Sequence, residues 1–246
     1  MTEPTTYRLD RRGNRWIGAG GAFGLAGGVL AVVLPLLLVE ISRHAPGGIA
    51  AASSSLVAWT SWFLLAGAVL LLLSFFAYRW GYSVLRKAEP TYWVASALCI
   101  VGSSGFLLLI IAAAVATGSE NGLLACVQGP YSQIYSCVQG QTPLGAYTAV
   151  AGLWLAWIGS VGIVLGLFQA GGRYLSGLYV GAGACYLITL VLLVGPLTGI
   201  FVSVAFIEPL LLMAPVFVVT GPLLVLLARP TYPRAPAAPA TPPPAT

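Results

Sequence analysis

The sequence predicts an all-α fold, a polytopic transmembrane helical bundle of six spans with N- and C-termini cytoplasmic. Three observations predict it. Hydrophobic residues make up 59% of the 246 and charged residues only 7%, with a mean hydropathy of +0.93, whereas a soluble domain carries roughly a quarter charged residues. Apolar runs of about twenty residues recur, the length needed to cross a hydrocarbon core. Basic residues gather between alternate runs, as they do in the cytoplasmic loops of membrane proteins.

Residues 1–16 read as a cytoplasmic N-terminal segment carrying Arg8, Arg11, Arg12 and Arg15. The first span, Ile17 to Ile41, is 25 residues long, beyond the 7–15 residues of a signal-peptide core, so it is read as a retained helix. Gly20, Gly24 and Gly28 repeat every fourth residue along it and give a face on which another helix approaches closely. The second and third spans are Leu56 to Tyr78 and Tyr92 to Ala116, separated by Arg79, Arg86 and Lys87. The fourth, Leu144 to Phe168, repeats the glycine spacing at Gly162 and Gly166, and the fifth, Tyr174 to Gly195, at Gly177 and Gly181.

From Tyr174 to Ala228 there are 55 residues with one charge, Glu208. As one helix they would reach roughly 80 Å, against a hydrocarbon core of about 30 Å. The chain must therefore reverse, around Pro196 to Ser203, and a sixth span runs from Val204 to Ala228. Pro209, Pro215 and Pro222 lie in it; each lacks an N–H, which predicts kinks or local unwinding. With the N-terminus inside, ten of the eleven basic residues fall on the cytoplasmic side and Arg43 alone lies outside. An odd number of spans breaks that pattern. Residues 17–228 are thus the membrane domain, in a multi-pass protein of the cell membrane whose first partner is the lipid bilayer.

The outer loop, residues 117–143, contains Cys126 and Cys137 within CVQGPYSQIYSCVQG. Ten residues separate the two thiols, and Gly129, Pro130 and Gly140 supply turn chemistry. A disulfide is expected in this oxidising compartment, contributing roughly 3 kcal/mol in the chain-entropy model. A zinc site wants further Cys or His ligands nearby, which this loop lacks. Cys99 and Cys185 fall inside spans and read as small buried apolar groups.

Ionisable residues near the bilayer centre mark proton or ion coupling, and here they are scarce. Glu208 lies 21 residues before Arg229, roughly 31 Å along a helix, which carries it to the outer boundary. Glu40, His44, Glu120 and Glu208 therefore form a candidate polar cluster on the outer face. Pro46 and Gly47 oppose a continued helix at the Glu40–His44 pair, so no metal site is assigned, and no cofactor is expected because no phosphate-binding glycine loop, HExxH or CxxC is present.

Within the third span Gly102, Ser103, Ser104 and Gly105 read GSSG. This resembles the GxSG of rhomboid intramembrane proteases, with Ser104 at the nucleophile position. A serine needs a base to take its proton; the sole histidine, His44, is placed in the first outer loop. No enzymatic activity is therefore expected.

Residues 229–246 are a Pro-rich cytoplasmic tail with prolines at 230, 233, 236, 239 and 242. That period matches polyproline II and suits a cytoplasmic partner with a docking groove. No basic stripe interleaved with aromatics exists, so nucleic acid is not an expected partner. Two function classes follow. One is an accessory, scaffold or assembly subunit, bound to other membrane proteins or to copies of itself; the other is a channel or carrier for an uncharged or lipid-like solute, suggested by three spans on each side of the cysteine loop.

Overall fold

The computed structural model describes residues 5–34, 37–38, 41, 53–117, 143–198 and 204–228. Among the described residues the chain is helical, with no strand. Six helices carry it. α1 covers Thr5–Gly28 and continues as a π-helical turn over Val29–Val33. α2 covers Ser53–Leu85, and a 3-10 turn at Pro90–Tyr92 leads into α3, Trp93–Thr117. α4 spans Pro143–Tyr174, α5 Gly177–Thr198 and α6 Val204–Leu227. The first four are long and apolar enough to cross a membrane; α5 and α6 carry shorter apolar stretches, Gly177–Leu192 and Pro215–Leu227.

Each helix packs on the next in sequence, and α6 returns to α1, which closes the bundle. The α3–α4 pair is the most extensive contact. Glycine permits it. A Cβ on Gly102 would run into the Phe75 ring and Gly159, and one on Gly105 into the backbone of Ala156 and Gly152. Across α1, Gly20 lies against the Tyr78 ring, Gly24 against the Ser74 and Tyr186 hydroxyls, and Gly28 against Val218. Gly162 meets Leu98 and Ala95, Gly166 meets the Tyr82 ring, and Gly181 meets Leu224. Gly177 faces open space, as nothing among the described residues comes within 4 Å of a Cβ built there.

Polarity is inverted relative to a soluble protein. The fully buried large side chains are headed by Tyr78, Tyr82, Tyr92, Tyr174 and Tyr179, while exposed Leu, Ile, Val and Trp side chains recur along α2 to α6. Such a continuous apolar exterior suits a lipid environment rather than water. Trp62 and Trp80, both exposed, stand eighteen residues apart on α2, about 27 Å along the axis. That separation matches aromatic girdles at the two edges of a hydrocarbon core.

Two helix boundaries differ from the sequence reading in an instructive way. α1 starts at Thr5 instead of Ile17, and α2 reaches Leu85 instead of Tyr78. Arg11, Arg12 and Arg15 end the apolar run in the sequence, but their side chains are exposed while Asp10, Asn14 and Ile17 are buried. Gly13 of this added segment rests on Leu85 of α2. At the π-turn the Leu34 N–H reaches back five residues to the Val29 carbonyl. α6 runs unbroken from Val204 to Leu227 through Pro209, Pro215 and Pro222. α5 ends at Thr198 and α6 begins at Val204, which brackets the expected reversal.

Candidate functional site

The polar interior lies at the end where α1 starts, α2 passes into α3 and α4 passes into α5. Its upper part is a column of aromatic rings. Tyr78 stacks near Tyr82 with centroids 6.0 Å apart, Tyr82 near Tyr92 at 6.0 Å, and Tyr186 meets Tyr78 edge-on at 6.4 Å. Rings at these separations add attraction beyond the area they bury. Glycine makes room for them: Gly20 on one side and Gly166 on the other lie directly against the Tyr78 and Tyr82 rings.

A buried hydroxyl needs a partner, and most in this column have one. Tyr82 donates to the Ile163 carbonyl at 3.2 Å, Tyr78 and Tyr186 share a contact at 3.4 Å, and Ser74 donates to the Gly20 carbonyl at 2.7 Å. The Tyr92 hydroxyl is buried with no hydrogen-bond partner among the described residues.

Below the column three elements are clamped by charge. Arg173, in the last turn of α4, donates to Glu89 at 2.6 Å and to Asp10 of α1 at 3.0 Å. The Tyr174 hydroxyl donates to the same Asp10 carboxylate at 3.1 Å, and Thr91 donates to Glu89 at 3.1 Å. Nearby, the Tyr179 hydroxyl donates to the Asn14 carbonyl oxygen at 3.5 Å. One guanidinium thus bridges α1 and the α2–α3 connection. Its two-forked donor geometry suits that task in a way a lysine would not.

The α4–α5 link beside the clamp is a tight reversal. The Ser176 N–H bonds back to the Gly171 carbonyl at 3.1 Å, and Leu175 takes the left-handed conformation with φ 47°. This is a Schellman closure with leucine at the position glycine usually fills.

Asp10, Asn14, Glu89 and Arg173 were not singled out from the sequence as site residues. A signal for the first two exists: Asp10, Asn14, Ile17, Gly21, Gly24 and Gly28 alternate four and three apart, which is one continuous helix face. Arg173 was read for its charge alone, as a marker of orientation. Glu89 has no local signal, because its role depends on a residue far away in sequence.

The GSSG stretch has a packing role. Gly102 and Gly105 form the α3 half of the α3–α4 seam. Ser103 and Ser104 donate back to the Cys99 and Ile100 carbonyls at 2.8 and 3.2 Å, and Ser104 faces outward. Cys99 is a buried free thiol and Cys185 a half-buried one. Glu208 is a residue of α6, whereas Glu40, His44, Glu120, Cys126 and Cys137 lie outside the described residues, so the outer cluster and the loop disulfide are not placed. Among the described residues no three His, Cys, Asp or Glu side chains come together as a metal site. Set against known proteins, the chain matches no family model, no curated protein and no solved structure.

Proposed function

We propose that this chain is a six-span protein of the cell membrane, with both termini cytoplasmic, serving as a non-catalytic accessory, scaffold or assembly subunit of a membrane complex. The observation that carries this reading is the filled interior. Stacked tyrosines and glycine-seated helix seams occupy the axis of the bundle where a substrate path would run, which leaves the outer surface as the part able to recognise something. The orientation rests on charge: every described Lys and Arg lies toward the end that holds the Arg173 clamp, the pattern of a cytoplasmic face. The expected cysteine bridge and the Pro-rich tail extend the same reading to the two ends of the bundle.

Purifying the tagged full-length protein in mild detergent tests this. Another membrane protein retained at a fixed stoichiometry is the expected result. A homogeneous preparation without partners that moves an uncharged or lipid-like solute across proteoliposomes would replace it with the carrier reading. One observation favours that second reading: six helices close around an axis that holds tyrosine hydroxyls, one of them, on Tyr92, without a hydrogen-bond partner among the described residues.

A further inference from the structure

At the basic end, α1, α5 and α6 leave an open-sided cleft of about 320 Å³. Arg11 and, three and four residues further along α1, Asn14 and Arg15 supply its polar lining; Val225 and Leu226 of α6 supply apolar lining, and Tyr179 of α5 also borders it. Asn14 is only 7% exposed. Its carbonyl oxygen accepts from Tyr179, while its buried Nδ2 has no hydrogen-bond partner among the described residues. An amide donor left in that state is costly, and a bound acceptor would relieve it.

Arg11 and Arg15 are exposed, and among the described residues neither forms an ion pair. The nearest carboxylates in the clamp, Asp10 and Glu89, are both held by Arg173. Among the described residues no acidic side chain lines the cleft. Gly18 also lines it, and no described residue comes within 4 Å of a Cβ built there, so the space is open along α1. A cationic, donor-only lining beside an apolar one fits a phosphate that carries an alkyl chain: guanidinium groups fork onto phosphate oxygens, and valine and leucine side chains take hydrocarbon. Basic recesses between helices on the cytoplasmic side bind anionic headgroups for this reason.

We propose that Arg11, Asn14 and Arg15 bind a phosphate group, that of an anionic phospholipid whose acyl chain lies against Val225 and Leu226. The test uses the full-length protein purified in a non-ionic detergent, with phosphatidylglycerol, uncharged diacylglycerol and inorganic phosphate as probes. Binding is counted by native mass spectrometry and followed by the unfolding temperature. Phosphatidylglycerol is expected to remain bound at one per chain and to raise that temperature. The double variant Arg11→Gln/Arg15→Gln should weaken it by about thirtyfold, as two surface arginines would. Gly18→Leu, which fills the cleft and keeps both charges, should weaken it as well. Unfolding temperatures of the ligand-free variants equal to that of the unmodified chain identify a loss of site rather than of fold. Undiminished lipid binding by both variants, or equal binding of diacylglycerol, overturns the proposal; inorganic phosphate binding as tightly as the lipid overturns its assignment to a lipid.

Discussion

At the scale of single residues, the behaviour of the basic end turns on Arg173. Asp10 is 5% exposed, and removing its guanidinium partner leaves a buried carboxylate uncompensated, which costs about 3 kcal/mol in comparable pairs. Arg173→Gln is therefore expected to lower the unfolding temperature in detergent sharply, and adding Asp10→Asn should restore much of the loss, a coupling that a double-mutant cycle measures. Leu175 makes the opposite case. Its left-handed backbone costs a non-glycine residue about 1–2 kcal/mol, and its side chain, 88% exposed, packs on little in return. Leu175→Gly should raise the unfolding temperature slightly, net of glycine's greater chain entropy; a fall would mean that the leucine side chain itself is stabilising. Neither residue announced this in the sequence. The charge of Arg173 was legible and its orientation value was read from it, but the partners sit 163 and 84 positions away, and no local pattern encodes such a meeting.

Helices are the scale at which most of the reading succeeded. The ends read from the sequence for the third and sixth apolar segments fall within a residue or so of the ends of helices α3 and α6, because long runs with almost no charge leave little freedom in their ends. The start of α1 escaped because outward-pointing arginines mask an inward face of Asp10, Asn14 and Ile17: hydropathy averages around the helix, and the packing does not. Glycine spacing was legible for Gly162 and Gly166, yet the tightest crossing uses Gly159 against Gly102, a pair on two different helices. Gly159→Leu should force α3 and α4 apart, since the obstruction is backbone that cannot rotate away, at a cost of roughly 1–3 kcal/mol or more. Gly177→Ala, in open space at the start of α5, should instead be neutral or stabilising by up to about 1 kcal/mol. Unfolding midpoints of the two variants, measured side by side, decide whether the seam or general glycine content matters.

For the whole molecule, the inversion of polarity was plain from composition, while what fills the interior was not. Ser104, Ser160 and Thr189 bond to their own helices, and the axis belongs to tyrosine. A tyrosine in an apolar run gives no hint of which way it faces. The proposed orientation makes a direct prediction: after mild reduction, an impermeant maleimide applied to intact cells should label Cys126 and Cys137 and leave Cys99 and Cys185 untouched. Labelling of positions 126 and 137 only after lysis would reverse the topology.

The contact between α6 and α1 also sets an order of events. Gly21 and Gly28 of α1 seat Val225 and Val218 of α6, so the first helix made must wait in the bilayer, one flank bare, until the sixth has been delivered. Until then the seats at Gly21 and Gly28 stay uncovered, and the ring of helices closes only with the arrival of the last one.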